Sequence, residues 1–150
     1  MQGDSRDLSF VHNSSIDLII AHPPYLDMMN YGKNGTYGNI EEYRRFLDES
    51  LEEMLRVLKP NKFCCIQIGA FAAKHLPLHH ITLDLALKVG FEFMDEIVLA
   101  FLADFVGYSS SVSGRDTSIV HKEAFAKWFS IVHNVYHHNH EYLVVLRKPA

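Results

Sequence analysis

The sequence lacks several features that would point to common classes of protein. It has only two cysteines, the adjacent Cys64 and Cys65. Neighbouring residues of a strand point to opposite faces, so we expect no disulfide between them but two small buried side chains in a reducing compartment. No stretch approaches the roughly 18 apolar residues of a membrane span. Residues 1–7 are polar and contain acids, which is not the pattern of a signal or transit peptide. These absences predict a cytoplasmic protein without membrane contact.

An excess of positive charge is also missing. The 150 residues include 14 Lys and Arg against 18 Asp and Glu, which gives a formal net charge of -4. Proteins that hold nucleic acid by charge alone are usually basic, so contact with a nucleic acid would depend here on local arrangement. With 48% hydrophobic residues, the length fits one domain with one core.

Hydrophobic periodicity predicts alternating strands and helices. Strands are predicted at 14–21, 62–70, 91–102 and 141–146, and helices at about 40–58 and 76–89. Asn39 is placed to cap the first helix, with Glu42 three residues later, and Gly90 to end the second. Such alternation is typical of a mostly parallel sheet with helices packed on it. The last two strands lack a crossover helix of defined length, so the C-terminal strand is predicted to run antiparallel.

The motif His22-Pro23-Pro24-Tyr25 follows the first predicted strand. In open α/β sheets, ligands bind outside the carboxyl ends of strands. Two prolines there hold the backbone carbonyls in fixed directions, and the neighbouring aromatic ring offers a flat face. The motif therefore predicts a site that accepts hydrogen bonds from an exocyclic amine and stacks on the ring that carries it.

This motif and its surroundings resemble the N4-cytosine/N6-adenine amino-group DNA methyltransferases. Their signature is a strand followed by Asp, Asn or Ser, then Pro-Pro and an aromatic residue. The likeness covers most of residues 3–149, in the segments 3–5, 15–19, 53–60, 63–69, 90–91 and 140–149. It implies a partial Rossmann-like, three-layer α/β sandwich of the S-adenosylmethionine-dependent methyltransferases. Residues 1–150 would form one incomplete catalytic domain, with an insertion for target contact at about 104–139.

The resemblance also implies a reaction and its residues. The reaction is methylation of adenine N6 or cytosine N4 in DNA, or of such an amine in RNA, with S-adenosylmethionine as the methyl donor. The motif's acceptors would hold the amine, and its aromatic ring would stack on the base. The implied site residues are catalytic His22, Pro23, Pro24 and Tyr25, donor-binding Asp4, and nucleic-acid-contacting Tyr108, Arg115 and Lys122.

Two departures from the family pattern affect these expectations. His22 stands where Asp, Asn or Ser is usual; a neutral histidine still accepts one hydrogen bond, but a histidinium does not. No two of the eight glycines form the Gly-x-Gly of the family's donor-binding region. Without that region, the strand ending at the motif becomes an edge, and edges invite pairing. We therefore expect a homodimer or a complementing chain at residues 16–21, or a longer parent protein. The alternative is a non-catalytic nucleic-acid-binding or assembly module.

The histidines suggest no metal site. His133, His137, His138 and His140 lie close together in the sequence, but neither paired cysteines nor a His-Glu-x-x-His helix accompanies them. His79 and His80 fall on the second predicted helix, and we expect both at its partly exposed surface.

Overall fold

A computed structural model describes residues 3–27, 36–69, 76–100 and 140–150. The predicted order of strands and helices is confirmed, with boundaries that differ by a few residues. The predicted insertion at 104–139, with Tyr108, Arg115 and Lys122, lies outside the described residues. The elements in chain order are β1 (Ile16–Ala21), α1 (Ile40–Val57), β2 (Leu58–Ile68), α2 (Leu78–Val89), β3 (Glu92–Ala100) and β4 (His140–Arg147).

The four strands form one sheet in the order β1-β2-β4-β3. β1 pairs with β2 in parallel, whereas β4 runs antiparallel to both of its neighbours. Three strands therefore share one direction and the C-terminal strand opposes them, as the sequence predicted. The carboxyl ends of β1 and β2 consequently lie at the same edge of the sheet as the beginning of β4, and this arrangement positions the site described below.

Local signals fix the ends of both helices. The Asn39 side chain accepts a hydrogen bond from the Glu42 backbone N–H at 2.9 Å, which satisfies one of the donors left open by the first turn of α1. α2 ends at Gly90, which has a φ of 118° in the left-handed region that favours glycine. The Gly90 N–H donates to the carbonyls of Ala86 and Leu87 at 3.2 Å each. Both predicted caps are thus confirmed.

β2 begins earlier than predicted. It starts at Leu58, directly after α1, although Pro60 was expected to separate the helix from the strand. The strand accommodates the proline by bulging: Leu58 lies opposite Ile16, but Phe63 already lies opposite Leu18. Asn61, with a φ of 60°, provides the left-handed residue within this irregular stretch.

The core lies on one face of the sheet. There α1 and α2 cover buried side chains of the two central strands: Cys64, Ile66, Ile68, Val144 and Leu146. The opposite face carries apolar side chains that remain open among the described residues. Leu18 is 52% and Ile20 is 74% exposed, and Phe63 and Ile97 are exposed as well. The described residues therefore form two layers, helices on a sheet, and leave the second face of the sheet uncovered.

The two cysteines lie on opposite sides of β2, and Cys65 is less buried than the sequence predicted. Both are free thiols; Cys64 is buried among the core residues and Cys65 is half-buried on the other side of β2. Burial raises the pKa of the Cys64 thiol to about 12, so it stays protonated and packs as a small apolar group. Separately, no helix among the described residues is long and apolar enough to cross a membrane.

The expectation for His79 is wrong. His80 is exposed, but His79 is only 7% exposed. Its ring stacks on the ring of Tyr142, with centroids 4.1 Å apart and planes 17° from parallel. Tyr142 belongs to β4, so a strand distant in the sequence covers the position that periodicity alone assigned to the surface of α2.

Candidate functional site

The predicted motif lies where the carboxyl edge of the sheet meets solvent. β1 ends at Ala21, and His22, Pro23 and Pro24 continue the chain without secondary structure. His22 is exposed, the two prolines are half-buried, and Tyr25 is buried with 6% of its surface exposed. The motif thus passes from solvent into the core within four residues, and its acceptor side, at His22, is the accessible one.

The Tyr25 hydroxyl ties this motif to the two neighbouring strands. It accepts a hydrogen bond from the Gly69 backbone N–H at 2.7 Å, just beyond the end of β2. It donates to Glu141 Oε1 at 3.0 Å, at the beginning of β4. The second carboxylate oxygen, Glu141 Oε2, accepts from Gln67 Nε2 at 2.6 Å. Tyr25, Gln67, Gly69 and Glu141 form what we call the Tyr25 network.

The residue after the motif adopts an uncommon backbone conformation. Leu26 has a φ of 48°, which is rare for a residue with a branched side chain. Its side chain is fully buried, and its carbonyl accepts a hydrogen bond from the Tyr37 N–H at 3.3 Å. The Tyr37 ring in turn stacks on Phe46 of α1, with centroids 4.7 Å apart. Packing therefore holds a turn that the backbone alone does not favour.

His22 approaches Tyr25 edge-on. The ring centroids are 5.7 Å apart and the planes lie 80° from parallel, a common aromatic geometry. The imidazole is otherwise exposed, and a neutral imidazole can accept one hydrogen bond. The site therefore offers an accessible acceptor. The Tyr25 ring, unlike the His22 ring, is buried, so a base could stack on it only after neighbouring groups move. Its stacking role stays a prediction.

Asp4, predicted to bind the methyl donor, forms an ion pair within the N-terminal segment. Its two oxygens accept from Arg6 Nε at 2.9 Å and from Arg6 Nη2 at 2.6 Å, and the Arg6 backbone N–H adds a third bond at 3.0 Å. These bonds lower the pKa of Asp4 to about 2, so the carboxylate is ionised. Burial raises the pKa of Tyr37, and the charges of Arg6 and Asp4 also act on it. Asp4 therefore lies near the turn that follows the motif.

Gln67 and Glu141 were not predicted as site residues, although the sequence contains a weak signal for each. Gln67 is the one polar side chain in the apolar run 63–68, and Glu141 is an acid that opens an apolar strand. Each signal indicates a polar side chain with a partner, but neither identifies that partner. Among the described residues, no group of three His, Cys, Asp or Glu side chains is placed to hold a metal ion. His133, His137 and His138 lie outside that part of the chain.

Comparison with known proteins gives matches over most of the chain. A family model described as DNA methylase, for the N6/N4 type, matches residues 16–150. The type II methyltransferase M.HpaI of Haemophilus parainfluenzae is 42% identical over 64 residues, which are 43% of this chain and 20% of that protein. The type II methyltransferase M.MjaVI of Methanocaldococcus jannaschii is 31% identical over 88 residues, which are 57% of this chain and 45% of that protein.

Solved structures give the same fold. A protein of Thermus thermophilus described as a DNA modification methylase, in complex with S-adenosyl-L-methionine, is 25% identical with a TM-score of 0.61; the match covers 99% of this chain and 54% of that one. The cytosine-N4-specific PvuII DNA methyltransferase matches with a TM-score of 0.56 at 16% identity, over 97% of this chain and 47% of that one. The chain thus spans about half the length of these structures, and less than half of the two curated relatives.

Proposed function

The chain belongs to the N6/N4 DNA methylase family, and from this premise we propose that it takes part in S-adenosylmethionine-dependent methylation of an exocyclic amino group, adenine N6 or cytosine N4, in DNA. The observation that carries the proposal is the accessible His22-Pro23 corner at the carboxyl end of β1. The chain provides the amine-binding part of the site. It acts alone, with a partner chain, or as part of a longer protein.

The corner acts on an amine that is a poor nucleophile, because its lone pair is conjugated into the base. A neutral His22 nitrogen and the Pro23 carbonyl accept the two N–H bonds of the amine. Held in this way, the nitrogen turns toward tetrahedral geometry and its lone pair leaves the plane of the ring. No strong general base is needed, since the proton departs after the new bond forms. Pro24 keeps the corner rigid, and Tyr25 stacks on the base once the covering groups move aside.

The methyl donor would be held partly by Asp4. An ionised carboxylate fits the hydroxyl and amine donors of an adenosine. Asp4 Oδ1 accepts two bonds from Arg6, whereas Oδ2 accepts one and keeps a lone pair for such a donor. When bound, S-adenosylmethionine supplies an electrophilic methyl group. Because the chain has no Gly-x-Gly, we propose that a complementing chain or further domain provides the rest of the donor pocket.

Titration calorimetry with S-adenosylmethionine tests the donor site. We expect weak but measurable binding by the wild-type chain, and an about tenfold weaker affinity for Asp4→Asn, because a hydrogen bond from the ligand to a charged group contributes about 1.5–3 kcal/mol. Asp7→Asn is the matched control, since Asp7 is an exposed carboxylate three residues away that bonds only the Ser9 N–H among the described contacts. Binding by the wild type that Asp4→Asn leaves unchanged would remove Asp4 from the donor site.

The methylation itself is tested with tritiated S-adenosylmethionine and unmethylated DNA, with digestion of the product to nucleosides. We expect the label in N6-methyladenine or N4-methylcytosine. Label in RNA only would change the substrate class. Absence of both transfer and donor binding would favour the second candidate, a non-catalytic nucleic-acid-binding or assembly module. That candidate is supported by the absence of a Gly-x-Gly among the eight glycines of the sequence. In either case Tyr108, Arg115 and Lys122 are proposed to contact the nucleic acid.

We also propose that β1 pairs with a second copy of the chain or with a complementing chain. β1 is an edge of the described sheet, and its Leu18 and Ile20 side chains are open to solvent. An edge strand presents unpaired N–H and C=O groups that pair readily with another chain. A strand added at β1 would place its own side chains beside Leu18 and Ile20 on the same face of the sheet.

A lysine in the edge strand tests this pairing. Ile20→Lys is expected to shift the sedimentation mass from a dimer to the single 17.2 kDa chain, because it places a lysine in the edge strand. Leu87→Lys, at an exposed apolar residue of α2, is the control and should leave the mass unchanged. A wild-type monomer whose β1 amides exchange rapidly with solvent would contradict both forms of pairing.

A further inference from the structure

Glu141 stands out among the polar side chains of the described structure, since it is tied to two other elements at the carboxyl edge. It lies near the start of β4, accepts from the Tyr25 hydroxyl in the segment after β1, and accepts from the Gln67 amide in β2. The sequence separations are 116 and 74 residues. Nothing in the chemistry assigned above uses this carboxylate directly. Its position nevertheless links the motif to the two central strands.

The chemistry of the groups sets the direction of every bond in the Tyr25 network. The Gly69 backbone N–H can only donate, so the Tyr25 oxygen accepts from it. The phenol proton must then go to another acceptor, and Glu141 Oε1 lies 3.0 Å from the phenol oxygen. Glu141 therefore determines where the Tyr25 hydroxyl points.

The backbone around the motif needs such an anchor. Leu26 follows in a left-handed conformation, with a φ of 48°, that persists only when its surroundings enforce it. On one side it is enforced by the hydrogen bond from Tyr37 and by burial of its own side chain. On the other side the Tyr25 hydroxyl is the anchor. Loosening that hydroxyl would let the Pro23-Pro24 corner move relative to the sheet.

We propose that Glu141 is a positioning residue for amine methylation, which holds the Pro23-Pro24 corner in its productive place through the Tyr25 hydroxyl. This inference rests on the proposed function. Glu141 touches neither the base nor the donor. It acts by fixing the ring of Tyr25 and, with it, the direction of the acceptors at His22 and Pro23. Small displacements of such groups have large effects on rate.

A double-mutant cycle tests whether Glu141 acts through Tyr25. Glu141→Gln and Tyr25→Phe are each expected to lower kcat for methyl transfer about tenfold, with KM for DNA nearly unchanged. The double variant is expected to be no slower than the slower single variant, because Tyr25→Phe removes and Glu141→Gln weakens the same bond. Glu92→Gln is the matched control; this carboxylate also bonds a β4 side chain, Arg147, but at the opposite end of the strand. It should leave kcat unchanged.

Amide exchange at Gly69 provides a readout that does not depend on activity. The Gly69 N–H bonds the Tyr25 oxygen, so Glu141→Gln should speed its exchange about tenfold if Glu141 fixes Tyr25. Unchanged Gly69 exchange would overturn the proposal, and so would effects on kcat that multiply in the double variant. Faster exchange with unchanged kcat would reduce Glu141 to a structural tie and overturn its positioning role. Faster exchange in a chain that transfers no methyl group would refute the proposed function alone and leave the tether of Tyr25 established.

Discussion

Replacing His22 by leucine is expected to lower the rate of methyl transfer about a hundredfold, the size of effect seen when one polar partner of a reacting group is removed. Leucine fills a similar volume but accepts no hydrogen bond, so one N–H of the amine would lose its partner. Asparagine is expected to retain most of the rate, because its side-chain carbonyl accepts in the same region. His22 is exposed, so both variants should fold. Initial rates with tritiated donor measure the effect.

The control for this comparison is His12→Leu. His12 is also an exposed histidine. Its hydrogen bond among the described contacts involves the backbone: the His12 carbonyl accepts from the Ser15 hydroxyl. This change should leave the rate unchanged. If His22→Leu also stays within about twofold of the wild type, the imidazole is not an acceptor of the amine, and the Pro23 carbonyl would have to hold the amine without it.

The features that the sequence predicted well are those with local causes. Asn39 caps α1 through the N–H of a residue only three positions away, and Gly90 ends α2 through carbonyls of the preceding turn. Pro23 and Pro24 end β1 because proline cannot donate to a strand ladder. The antiparallel direction of β4 was predicted because the sequence pattern defines no crossover helix between the last two strands, which is also a property of the nearby chain. The motif could accordingly be placed at the end of a strand before any contact was known.

The features that the sequence left open depend on contacts between distant residues. His79 was expected at the surface, because the pattern of its own helix does not show the contact that buries it. That contact comes from Tyr142, a residue of another element. The burial of Tyr25 has the same origin. From the sequence its ring was an open stacking surface, but the ring is buried in the core, and the hydroxyl bonds Gly69 and Glu141. Periodicity indicates which face of an element is apolar, but it does not indicate which polar groups meet across a sheet edge.

Arg56→Ala is expected to lower the urea midpoint of unfolding clearly, because it removes several charge-assisted hydrogen bonds at once. Arg56 Nε and Nη2 donate to Glu53 at 2.7 and 2.8 Å. Its guanidinium also donates to the carbonyls of Leu8 and Val11 at 2.8 and 3.0 Å, which holds the N-terminal segment on α1. Arg45→Ala, at a mostly exposed arginine of the same helix, should change the free energy of unfolding by less than about 0.5 kcal/mol. Urea unfolding measures both.

The same arginine predicts how stability depends on pH. Its hydrogen bonds, with a further bond from the Leu8 N–H, lower the pKa of Glu53 from 4.5 to about 2. A carboxylate with a depressed pKa in the folded state stabilises that state fully above its ordinary pKa, and the contribution is lost as the pH falls toward the folded value. The difference in unfolding free energy between the wild type and Glu53→Gln should therefore be constant near neutral pH and shrink as the pH falls below 4.5. A difference that stays constant down to about pH 3 would mean that Glu53 has the same pKa in the folded and the unfolded chain. The hydrogen bonds of Arg56 to the N-terminal carbonyls would then provide the stabilisation without Glu53.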